Sequence, residues 1–222
     1  MELDDISNVP LLPVRDQGKA QTCLAFATSF AHENLHGTGD YLSPAYLYGL
    51  AWKTDPILNG HNGLTIKAVR NVISDKGQVH ESVLPYEEWL KSIVFPNATY
   101  FPRESHFLAE LTTVSHNFDE ICQILKKAIP VILGVNITDA FHRVDKNGYI
   151  AEPGRQEMGG HAIVALGRYQ NEQSKNFLLI RNSWGIAWGK EGYALISQEY
   201  LMKRLMFAAI LKDKGNLNGT CD

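Results

Sequence analysis

The chain has 222 residues, 45% of them hydrophobic and 20% charged, with a net charge of −3. That length can bury one sizeable core, and the charge balance excludes the basic field of a nucleic-acid binder. No uninterrupted apolar run has the length a bilayer requires, so neither nucleic acid nor membrane is an expected partner.

The acidic start, MELDDISNVP, has no apolar signal segment, so a cytoplasmic setting is expected, or export as an effector without a standard signal peptide. Residues 22 to 36 (TCLAFATSFAHENLH) are Ala-rich and apolar on several faces, which predicts a buried helix with Thr22 as its N-cap. Ser43-Pro44 opens a second helix through Trp52, and residues 64 to 75 predict a third that stops at Gly77. Residues 84 to 106 contain Pro85, Pro96 and Pro102 and read as irregular surface chain. Residues 117 to 128 predict another amphipathic helix.

From Pro130 the pattern changes to short aliphatic runs: VILGVNI, HAIVALGRY, FLLIRNSW, GYALIS and FAAIL. Gly, Asn and charged turns separate them, which are strand signals. Helices first and strands second argue an α+β chain with two lobes and a cleft. The division falls at about 11–110 for the helical lobe and 111–212 for the strand-rich lobe, with 213–222 as a tail.

Chemistry is concentrated around Cys23, in VRDQGKAQTCLAFATSF. A helix N-terminus and a neighbouring imidazolium both favour the thiolate, and Cys23 has the first of these. His161, in EMGGHAIVALGRY, is the histidine best placed to supply the second. If the strands around 162–168 and 177–182 form a hairpin about NEQS, paired positions sum to roughly 343–345. His161 plus Asn182 gives 343, so the asparagine oxygen could orient the imidazole. Gln17 and the Cys23 backbone N–H could then donate to an oxyanion. Taken singly, Cys23 reads better as a small buried hydrophobe, and Gln17 as an ordinary loop residue.

The blocks DQGKAQTCLAF, GGHAIVALG and NSWGIAWGKEGYALIS resemble, in order, those of papain-like cysteine peptidases. The His and Asn follow the Cys by 138 and 159 residues, against about 130–150 in that family. YLSPAYLYGL, NGHNGLTIKAV and LPYE extend the resemblance through most of residues 11 to 195. It implies a two-lobed fold, a helical left lobe and a β-barrel-like right lobe, with Cys23, His161, Asn182 and Gln17 catalytic in the cleft. It also places Asn62, Gly63, Gly134, Gly159, Gly160, Ala162 and Trp184 around the substrate, with nothing acidic among them. Trp184 and Trp188 would flank the Asn–His pair.

Ala20 and His61 stand where the family usually has cysteines, and Leu24 follows the nucleophile where an aromatic is common. With only three cysteines in all (Cys23, Cys122 and Cys221), no disulfide framework is expected. About ten residues precede Pro10, so no inhibitory pro-segment is expected and a regulatory protein partner could control activity. The expected function is hydrolysis of a protein or peptide substrate by a monomer without cofactor. Asn62-Gly63-Leu64, where the family commonly has paired glycines, favours a specialised amidase, deamidase or transpeptidase as the alternative. HENLH, residues 32 to 36, satisfies the H-E-x-x-H pattern of zinc hydrolases, although no third ligand follows. A non-catalytic binding module on the same fold completes the set. The glycosylation triplets at Asn97, Asn136 and Asn218 carry little weight without a signal peptide.

Overall fold

A computed structural model describes residues 9–54, 63–92 and 106–214. Helix α1 (Cys23–His36) is buried from Leu24 through Glu33 and ends at Gly37, whose φ of 55° is the left-handed cap that glycine adopts freely. An apolar helix of this kind belongs at the centre of a core. Thr22 precedes α1 but does not cap it. Its backbone (φ −106°, ψ 12°) is not extended, and its hydroxyl pairs with the Tyr86 phenol at 2.7 Å. The first-turn amides are therefore left without a side-chain cap.

Helix α2 (Pro44–Thr54) starts where Ser43 Oγ accepts from the Tyr46 amide at 3.1 Å. Helix α3 (Ile66–Asp75) starts on Thr65, whose hydroxyl accepts from the Ala68 amide. The segment expected to be irregular instead holds helix α4 (Tyr86–Ser92). Pro85 suits the position just before it, and Tyr86 and Trp89, three apart on one face, are buried. Pro96, Pro102 and Asn97 lie outside the described residues, as do Cys221 and Asn218.

Among the described residues seven strands form one sheet: β1 (Ala109–Val114), β2 (Val131–Thr138), β3 (Tyr149–Ile150), β4 (Glu157–Gln170), β5 (Asn176–Arg181), β6 (Tyr193–Ser197) and β7 (Leu205–Asp213). Their order is β1-β7-β2-β4-β5-β6-β3, antiparallel except for the β3–β6 pair. The sheet does not close on itself, so the barrel-like expectation is met by an open, mixed sheet. Helix α5 (Phe118–Leu125) begins at Asn117, whose side chain accepts from two amides of the first turn. Helices α6 (Asp139–His142) and α7 (Gln198–Arg204) follow β2 and β6 directly.

Alternation along the strands divides the core in two. Ile132, Val164, Leu179 and Ala209 join α1, α2 and α3 on one face. Leu133, Ile163, Ile180 and Ile210 join α5 and α7 on the other. Strands covered on both faces read as unbroken aliphatic runs, which is how β2, β5 and β6 stood out in the sequence. The β4–β5 register passes through Val164↔Arg181 and Ala165↔Ile180, a sum of 345, before a bulge shifts it by one. That sum lies at the upper end of the predicted range and sets Asn182 level with Ile163, two residues past His161.

Candidate active site

Cys23 lies half-buried in the first turn of α1. Burial pushes its thiol above the usual value, while backbone hydrogen bonds at Ala162, Leu24 and Cys23 itself pull it down. The Ala162 contact ties the head of α1 to β4, one residue from His161.

His161 Nε2 stands 2.7 Å from Asn182 Oδ1. The same oxygen accepts from the Ser183 amide at 2.8 Å. A backbone N–H can only donate, so the oxygen of the Asn182 amide must face both groups. His161 therefore carries its proton on Nε2, and Nδ1 is the basic nitrogen. Burial lowers the His161 pKa to about 4, against the opposing pull of Asn182 and with a further push from His142. The sequence predicts a helix end and an imidazolium favouring the thiolate. In the structure burial dominates instead, disfavouring charge on the sulfur and the ring separately. Proton transfer from a thiol to an imidazole leaves the net charge unchanged, so it escapes much of the penalty that either charge incurs alone.

Trp184 packs against His161 with ring centroids 4.7 Å apart, and Phe141 meets the imidazole edge-on at 5.7 Å. Trp188 stacks on Phe141 at 5.0 Å and donates its indole N–H to the Phe141 carbonyl. The two tryptophans of the NSWG block thus enclose the His–Asn pair, Trp188 through Phe141.

Gln17 arrives on an extended strap, residues 12–17, laid against the sheet. Arg181 holds it by donating to the carbonyls of Leu12 and Pro13, with its guanidinium 4.4 Å over the Phe30 ring. The Gln17 amide donates to the Ser183 carbonyl at 2.8 Å. Its side chain is fixed at both ends: Nε2 donates to the Ala20 carbonyl at 2.7 Å, and Oε1 accepts from Ser183 Oγ at 2.6 Å. One side-chain N–H is left over after these bonds. Ser183 was missed in the sequence; its place between Asn182 and Trp184 was the available signal.

Gly63 has φ +117°, open to glycine and strained for other residues. Asn62 lies outside the described residues. The Tyr48 hydroxyl bonds the Gly63 backbone and is near enough to Cys23 to feel its charge, while burial is the main cause of its raised pKa. No sequence pattern marked Tyr48. On the sheet side, Gly134 pairs with Ala162 and with Phe207. A Cβ on Gly134 would meet the Phe207 ring at 2.1 Å, so the space the glycine leaves is filled by an aromatic. A Cβ on Gly160 would lie 3.8 Å from the Met206 sulfur, and Gly159 has φ +120°. The β2–β7 bulge beside Gly134 sets this placement, and strand periodicity does not reveal a bulge.

The H-E-x-x-H side chains serve the fold. His32 is buried with Nδ1 3.1 Å from Gln78 Oε1, and His36 Nε2 stands 3.1 Å from the Leu108 carbonyl. Glu33 accepts the Leu42 amide at 2.9 Å. Among the described residues no group of three His, Cys, Asp or Glu is arranged to hold a metal ion. None of their helices is long and apolar enough to cross a membrane.

Residues 2–207 match the family profile described as papain family cysteine protease. Ananain of Ananas comosus is 27% identical over 210 residues, covering 88% of this chain and 58% of that protein. Cathepsin L of Sarcophaga peregrina is 28% identical over 190 residues, covering 81% and 53%. The chain thus spans little more than half the length of these relatives. Among solved structures, the cysteine protease xylellain of Xylella fastidiosa superposes with a TM-score of 0.76 at 21% identity, covering 94% of this chain and 85% of that one. The bromelain protease of Ananas comosus, in complex with the E64 inhibitor, gives 0.72 at 18% identity, covering 92% and 94%.

Proposed function

Because the chain belongs to the papain family of cysteine proteases, we propose that it hydrolyses peptide bonds through Cys23, His161 and Asn182. The observation that carries this reading is the Ser183 amide on Asn182 Oδ1. It fixes the asparagine, the asparagine fixes the imidazole, and the basic Nδ1 is free for the thiol proton.

In the proposed cycle His161 Nδ1 takes the Cys23 proton as the sulfur attacks the substrate carbonyl. The oxygen that gains charge accepts from the Cys23 amide, which no N-cap occupies, and from the spare N–H of Gln17. His161 then returns its proton to the departing amine, leaving an acyl-enzyme. Water attacks that thioester while His161 again takes a proton, the C–S bond breaks, and the departing thiolate recovers the proton from His161. Asn182 keeps the ring in one tautomer throughout. The substrate is a protein or peptide lying between the Gly63 wall and the wall of Gly134, Gly160 and Ala162. Phe207 and Met206 make the second wall apolar and shallow, which favours a small apolar side chain there.

The test is covalent labelling. E64 or iodoacetamide should modify Cys23 rapidly near neutral pH and leave Cys122 and Cys221 unmodified in peptide maps, with the rate falling sharply in His161→Ala. Cys23→Ala should retain the fold and lose all peptide hydrolysis. Slow labelling shared by the three thiols and unchanged in His161→Ala would overturn the assignment. Mass spectrometry of products from a peptide library separates bond cleavage from side-chain deamidation.

A further inference from the structure

Trp184 contacts a second histidine. Its indole lies 4.7 Å from the His161 ring at an interplanar angle of 34°, and 4.9 Å from the His142 ring at 23°. Two imidazoles thus lie nearly face-on against one indole. His142 closes α6, a single turn anchored by the buried Phe141, whose carbonyl accepts the Trp188 indole N–H. That anchor fixes where His142 can reach, while the ring itself stays exposed to solvent.

We propose that His142 tunes the reaction by acting through space on His161, its charged form opposing charge on the catalytic imidazole. This rests on the reading of His161 as the acid–base. The other charged groups nearby are engaged elsewhere, beginning with Asp16 on the strap, which lies beside Trp184 and Gly185 and accepts the Gly18 amide. On its own helix, Asp139 is engaged by Arg143 and by the amides of Arg155 and Gln156. Strand β2, against which α6 packs, has no charged residue, and neither does the 182–188 segment that carries Trp184. On β4, Glu157 is paired with Arg204 and bonded by Asn136. Of the charged side chains around the imidazole, His142 is the one that lowers the affinity of the His161 ring for a proton.

The experiment uses inactivation by an epoxysuccinyl inhibitor across pH, which needs no knowledge of the natural substrate. The thiolate forms a bond to an epoxide carbon, the C–O bond breaks, and the oxygen takes the imidazolium proton. The rate therefore falls on the alkaline side as His161 loses that proton. His142→Lys should move the alkaline limb down by about half a pH unit, and His142→Asp should move it up by a similar amount. His142→Asn should keep the wild-type alkaline limb. A purely structural role would scale all rates and leave the limb in place. Coincident limbs across the series, with His161→Ala still strongly impaired, would overturn the proposal and leave the catalytic reading intact. A wild-type profile retained in His161→Ala would instead remove the catalytic reading on which the proposal rests.

Discussion

Replacing Ser183 by Ala tests whether the Gln17 amide is held for catalysis. Ser183 Oγ donates to Gln17 Oε1 at 2.6 Å, with both residues at least 93% buried. Removing the hydroxyl leaves an amide oxygen buried without a partner, a cost of about 1–3 kcal/mol. The backbone anchors stay: Gln17 N–H to the Ser183 carbonyl at 2.8 Å and Gly185 N–H to the Arg15 carbonyl at 3.2 Å. The strap therefore remains in place, and a loss of about 1 kcal/mol lowers Tm by roughly 2–4 °C. The amide is then held by the Ala20 carbonyl alone and aims less well. If about 1.4 kcal/mol of the cost falls on the transition state, kcat/KM drops about tenfold. Gln17→Ala removes the donor itself and should cost ~10²–10³. The double variant should be no slower than Gln17→Ala, because Ser183 acts through Gln17. The assay is kcat/KM for the four proteins on one fluorogenic peptide amide, with Tm measured alongside. Additive losses, or a Gln17→Ala variant within threefold of wild type, would refute the reasoning.

Three further outcomes follow from the same structure. Burial of His32 depresses its pKa from 6.5 to about 4, so its contribution to stability is complete above pH 6.5 and is lost as pH falls through about 4. That 2.5-unit shift is worth about 3 kcal/mol, and urea titrations at pH 7 and 4 should show His32→Gln losing less stability than wild type by that order. Glu33 has the opposite sign: burial raises its pKa from 4.5 to about 7 against Arg15 and Arg181, so its contribution is present below pH 4.5 and lost as pH rises through about 7. Glu33→Gln, which keeps an acceptor for the Leu42 amide, should flatten the decline between pH 5 and 8, and an unchanged slope would count against the assignment. Phe207→Ala should open the face of Gly134 and shift preference toward bulky apolar side chains by about tenfold in kcat/KM ratios, measured on a peptide library.

Much of the fold could be read from the sequence because burial on both faces leaves aliphatic runs. The central strands were legible for that reason, as was the hairpin that brings His161 to Asn182. Helix α4 was not, because three prolines obscured a seven-residue stretch whose only fully buried side chains are Tyr86 and Trp89. Strand β1 (AELTTV) and helix α7 (QEYLMKR) are short, and most of their outward residues are polar, Met202 excepted. Within the site, the residues on α1, β4 and the strap carried recognisable patterns. Tyr48, Phe207 and His142 did not, because each reaches the site through tertiary packing, and Ser183, although inside NSWG, acts on a partner, Gln17, that is distant in sequence. Thr22 shows the converse error: a good capping residue by type, it is drawn away by a buried phenol.

The strap over residues 12–17 makes the reacting centre a lap joint. One proposed donor to the oxyanion belongs to α1, and the other is carried on chain fastened to the sheet by Arg181 and the Ser183 carbonyl. The five residues from Gly18 to Thr22 are the only covalent link between the two donors' anchorages. Arg181, which takes no part in making or breaking bonds, therefore carries the joint's strength: it is buried and donates to two strap carbonyls and to the Tyr193 hydroxyl. Its loss would take a donor from each of those acceptors, so damage there shows as a lowered Tm together with lost turnover, unlike damage at Cys23.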